Sequence, residues 1–77
     1  MKITYSSAAQ ATLQAMHHET QTELKTLIGQ WVTANAAGWE LDVLQTKAIA
    51  FKGTNRTIQA KLRKGTVAER EVEILKV

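Results

Sequence analysis

Seventy-seven residues, 44% hydrophobic and 22% charged with a formal net charge of +3, make one domain with a thin margin of stability, because a chain this short buries only about 60% of its unfolded surface. Cysteine is absent, which excludes disulfides, thiol catalysis and cysteine-based zinc sites. No run reaches the roughly 18 apolar residues of a membrane span, no signal-peptide apolar segment opens the chain, and no linker or repeat divides residues 1–77, so a single cytoplasmic domain with no membrane and no cofactor is expected.

Taken in chain order, Lys2–Tyr5 is a short strand candidate. Ser7, Ala8, Ala9 and Gln10 match a helix-opening box, in which hydroxyl and amide side chains satisfy each other's orphan backbone amides. Ala9, Leu13 and Met16 then recur at helical spacing. A second box follows at Thr20 to Glu23, behind which Leu24, Leu27, Ile28, Trp31 and Val32 form an apolar stripe suited to covering a sheet. One unbroken helix over residues 8–36 is the alternative, but the second box favours a helical hairpin bent near His18. Gly38 stands where a helix C-terminal cap is expected.

Residues 39–44 alternate Trp39, Leu41 and Val43 with two acids and offer a further strand, although Leu44 breaks the period. Ile49 and Phe51 alternate with Ala48 and Ala50, and a four-residue loop over residues 53–56 would pair Phe51 with Ile58 and Ile49 with Ala60. In residues 56–62 and 71–77 the apolar side chains again share one face. Joining these two around Lys64, Gly65 and Thr66 sets Ala60 opposite Val72 and Ile58 opposite Ile74, with Lys61 facing Glu71, Gln59 facing Glu73 and Arg63 facing Glu69. The expected fold is therefore α+β: a short N-terminal strand and two helices packed on one face of a three- to four-stranded antiparallel meander.

Charge is unevenly distributed. Between Lys47 and Arg70 lie seven basic residues and one acid, whereas residues 1–38 balance at zero. Lys47, Lys52, Arg56, Lys61 and Arg63 are thus candidate contacts to nucleic acid or an acidic partner. The expected pairing of Lys61 and Arg63 with carboxylates, and the position of Lys52 and Arg56 at a turn, favour a solvated surface over one basic patch. His17 and His18 are neighbours whose side chains point about 100° apart on a helix, so a shared metal ion is not expected. Tyr5, Ser6 and Ser7 have no partnering base nearby in sequence. Trp39, which follows the helix end, and the small residues Ala48 and Ala50 are candidate interface residues, since a face of small side chains allows close approach by another subunit.

A strand, two helices and a run of late strands, ending in Arg56-Thr57-Ile58-Gln59-Ala60-Lys61-Leu62 and Glu71-Val72-Glu73-Ile74-Leu75-Lys76-Val77, resembles in order and length the RelE/ParE superfamily of small bacterial toxins. The resemblance spans nearly the whole chain and rests on element order and strand pattern. It implies ribosome-dependent mRNA cleavage or gyrase inhibition, with an antitoxin as partner, and gives Lys52, Arg56, Lys61 and Arg63 the role of phosphate contacts and transition-state charge stabilisers. Members that cut RNA usually carry aromatic and basic residues on and beyond the late strands; here no aromatic follows Phe51 and no residue is an evident general base. Two functions are therefore expected to compete. One is a small non-catalytic interaction module, a homodimer or the binder of a protein partner, working through a sheet face or edge. The other is a toxin-like protein acting on mRNA and the ribosome or binding nucleic acid.

Overall fold

In the computed structural model, which describes residues 1–66 and 69–77, the apolar stripes of two helices close over one face of a four-stranded sheet. The elements are β1 (Lys2–Tyr5), α1 (Ser7–Gln14), α2 (His18–Asn35), a 3₁₀ turn (Ala36–Gly38), β2 (Gln45–Phe51), β3 (Thr54–Gly65) and β4 (Arg70–Lys76). The sheet order is β1-β4-β3-β2. Ala9 and Leu13 from α1 and Leu24, Ile28 and Val32 from α2 meet Ile58, Ala60, Leu62, Val72 and Ile74 from the two central strands, all of them buried. Each large aliphatic side chain so buried contributes about 1.5–3 kcal/mol against the entropy of ordering the chain.

The α+β architecture is as expected, but the sheet is mixed. β2, β3 and β4 form the antiparallel meander, while β1 pairs parallel to β4, with Ile3 opposite Val72 and Tyr5 opposite Ile74. Four residues of alternating character suit either direction. The start of α1 decides it: the Ser6 amide donates to the Ile74 carbonyl at 2.9 Å and its hydroxyl to the Leu75 carbonyl at 3.1 Å, so β1 must run toward the end of β4.

Both helix starts lie N-terminal to the expected boxes. Ser6, not Ser7, caps α1, its Oγ accepting from the Ala9 amide at 3.1 Å. His17 caps α2, its Nδ1 accepting from the Glu19 amide at 3.4 Å, three residues before Thr20. The bend near His18 is thus present, and the chain forms two helices. Gly38 does not adopt a left-handed cap. Arg70 of β4 closes this end instead: its guanidinium donates to the Ala36 and Ala37 carbonyls of the 3₁₀ turn that follows α2, at 2.9 and 3.4 Å, and places positive charge near the negative end of the helix dipole.

The registers also differ from those expected, by four residues in the first hairpin and by two in the middle of the last, where Gln59, beyond an irregularity, faces Lys76 and not Glu73. The β2–β3 loop has two residues, Lys52 and Gly53, both at positive φ (50° and 80°), as a mirror-image hairpin turn requires. Phe51 therefore faces Thr54 and Ile49 faces Arg56. In the last hairpin Ala60 faces Ile74 and Lys61 faces Glu73, two residues from the expected pairing, and the ladder shifts at two points that leave Arg63 and Leu75 unmatched. The second irregularity carries Val77 onto the helix side, where it is buried. Between the two irregularities the slip is even and each side chain keeps its expected face, so hydrophobic burial there constrains parity far more strongly than pairing partner.

Candidate functional site

Sheet order leaves two edges: β1, with four residues, and β2, with seven. Because the two-residue turn makes Phe51–Thr54 a hydrogen-bonded pair, alternation along the ladder directs the amide and carbonyl groups of Thr46, Ala48 and Ala50 away from β3. These three residues are exposed, and their side chains project from the face that the helices do not cover. An unpaired edge of this length, with no proline and no bulge, is a template for an added strand.

The chain entering β2 extends this surface. Residues 39–44 do not form the expected strand; a single bridge joins Leu41 to Leu62, and the Asp42 amide donates to the Leu62 carbonyl at 2.9 Å. Asp42 then turns at φ 59°, a region tolerated by Asp, and its carboxylate is held by Arg63 at 2.8 Å, while Glu73 takes the same guanidinium at 2.9 Å. These two carboxylates raise the pKa of Arg63 further above its ordinary value. The turn leaves Leu41, Val43 and Leu44 exposed by 56%, 44% and 48%, three large apolar side chains in the segment that enters the open strand. The adjacent apolar pair Val43 and Leu44, which breaks the strand period, was the available sequence signal for it.

On the helix side, a groove of about 370 Å³ opens between α2 and the end of β2, lined by Thr22, Glu23, Thr26, Leu27, Phe51 and Lys52. The helix-side row of β2 is Gln45, Lys47, Ile49 and Phe51, in which Ile49 and Phe51 are buried and Lys47 is exposed. Among the described residues Lys47 makes no ion pair.

The five basic candidates do not converge. Lys47 and Arg56 lie on the helix side of the sheet, as their partners Ile58 and Ile49 require, and Lys61 and Arg63 lie on the opposite face. Lys52, in the turn, sits 3.4 Å from Glu23. Arg56 is half-buried, with its Nε buried and lacking a hydrogen-bond partner among the described residues. Lys61 faces Glu73, not the expected Glu71, and Arg63 bonds Glu73 and Asp42 rather than facing Glu69. Ala48 and Ala50 are exposed on the open strand, whereas Trp39 packs on Trp31, with ring centroids 5.1 Å apart, and is half-buried against the core.

Burial raises the Tyr5 phenol above its ordinary pKa, and the Lys25 ammonium lies 5.2 Å from its ring centre. Among the described residues no three His, Asp or Glu side chains gather where they could hold a metal ion, and no helix is long and apolar enough to cross a membrane. No protein-family model, curated protein or solved structure matches the chain.

Proposed function

We propose that this chain is a small non-catalytic interaction module that engages a protein strand along the open edge of β2. The observation that carries this reading is the seven-residue edge itself, with the outward backbone groups of Thr46, Ala48 and Ala50 unpaired among the described residues and the exposed apolar side chains Leu41, Val43 and Leu44 in the segment that enters it. Main-chain hydrogen bonds supply affinity in this mode, and the side chains flanking the edge supply selectivity. The toxin-like alternative draws on the RelE/ParE resemblance and would need a common basic surface, whereas Lys47 and Arg56 lie on the face opposite Lys61 and Arg63.

A photo-crosslinking residue in place of Ala48 tests the reading in cells that make the protein. One discrete protein adduct is expected, lost when Ala50→Pro removes an outward amide and missing when the crosslinker replaces Thr33 on exposed α2. An adduct of twice the chain's mass would mean self-association; a different mass would mean another partner. Equal adducts at positions 48 and 33, or none at 48, would refute the edge as the working surface.

A further inference from the structure

The β2 edge carries its own selection rule. Lys47 stands in the middle of the helix-side row, between half-buried Gln45 and buried Ile49, where a charged side chain on an edge strand opposes pairing with a like strand. A second copy of β2 offers no remedy, because Gln45–Phe51 contains no acid at any register. In a two-fold pairing through the outward residues, Lys47 would meet another lysine, a glutamine or an apolar side chain. Residues 45–58 as a whole hold Lys47, Lys52 and Arg56 and no carboxylate, and Lys52 is already engaged by Glu23.

Resting on the reading of β2 as the interaction edge, we infer that its occupant is an extended segment of another protein, added as a fifth strand, that sets a carboxylate opposite Lys47 and an apolar side chain over the groove between Leu27 and Phe51. The four-residue separation of Lys47 and Phe51 corresponds to about 13 Å along a strand, so the carboxylate and the groove residue lie four positions apart in the segment, with a small apolar residue between them facing Ile49. The outer row of the added strand would lie against Thr46, Ala48 and Ala50, whose small side chains leave that face permissive. Recognition is thus concentrated on the helix side.

A palindromic nonapeptide, acetyl-Leu-Thr-Val-Thr-Glu-Thr-Val-Thr-Leu-amide, presents this pattern in either strand direction, and the same peptide with central lysine is its control. Titrated into isotope-labelled protein, the glutamate peptide is expected to shift the amide resonances of Thr46, Ala48 and Ala50 and slow their hydrogen exchange. The lysine peptide is expected to bind at least about threefold more weakly, and Lys47→Glu to invert the preference. Equal binding of the two peptides, an unchanged preference in Lys47→Glu, or no response at β2 to either peptide overturns the inference. Sedimentation separates its failure from that of the broader reading. A monomer is expected; a concentration-dependent dimer abolished by Ala48→Pro overturns the acidic-segment inference and leaves β2 as the interaction edge. Peptide binding unaffected by Ala48→Pro in a folded variant overturns both, and should that variant not fold, the Lys47→Glu inversion still decides the inference.

Discussion

β4 and β2 are each seven-residue strands of alternating character bonded to the same central strand, yet one is buried in the sheet and the other is left at its edge. β4 receives β1 on its free side, helix packing on one face and an ion-pair row on the other, where Lys2 meets Glu71 and Arg63 meets Glu73. β2 has β3 on one side alone, with two buried side chains, Ile49 and Phe51. Gln45, Lys47 and the small residues Thr46, Ala48 and Ala50 fill the rest. The fold thus places its stability in β3, β4, β1 and the helices, and among the described residues leaves the outward backbone groups of β2 unpaired.

That contrast can be broken by substitution, beginning with the covered half. Ile28→Ala, which empties a fully buried position on α2, is expected to cost about 2–5 kcal/mol in a denaturant titration. Leu27→Ala, one residue away but half-exposed in the groove beside β2, should cost distinctly less. Similar losses would mean that the groove is as much core as the sheet centre. Glu73→Lys places like charges opposite Lys61 and beside Arg63 and should destabilise by about 1 kcal/mol, the loss shrinking at high salt. A neutral outcome would undo the Lys61–Glu73 register.

Smaller effects probe the open half. Lys52→Asn puts a residue tolerant of positive φ at the first turn position, before Gly53, and sacrifices only an exposed ion pair, so thermal unfolding should rise by a few degrees, about 0.5 kcal/mol. An unchanged melting temperature would count against the two-residue turn. Ala48→Pro removes an amide that faces away from β3 and should leave stability within about 0.5 kcal/mol of the parent by the same titration. A loss of several kcal/mol would show that the amide is bonded within the sheet, and the edge would not be free.

Much of the fold was legible in the chain. The stripe Leu24, Ile28 and Val32 and the alternation of Ile58, Ala60 and Leu62 name the buried faces, because burial follows periods of 3.6 and 2. The helix starts were displaced because several hydroxyl and polar residues could cap, and the one that does is set by what else it can bond; Ser6 is chosen over Ser7 by its reach to β4. Residues 39–44 misled because alternation is a strand signal only where an edge is free to receive it, and here Asp42 turns back after a single bridge. Of the surface residues, Ala48 and Ala50 were identifiable as a small-residue face. The place of Lys47 within the helix-side row followed from parity, but its consequence needed the knowledge that β2 is an edge.

Local periodicity and short-range turns in the chain were enough to set which faces of α2 and of the central strands are inside and that the late strands form a meander, and they favoured two helices bent near His18 over one. Tertiary structure alone decided that β1 joins β4 in parallel, that the ladders take these registers, and therefore which strand is left open. Period-two burial is unchanged by a slip of two or four residues and by strand direction, so these choices rest on contacts between distant residues, such as Ser6 with Leu75 and Asp42 with Arg63, that no local pattern encodes.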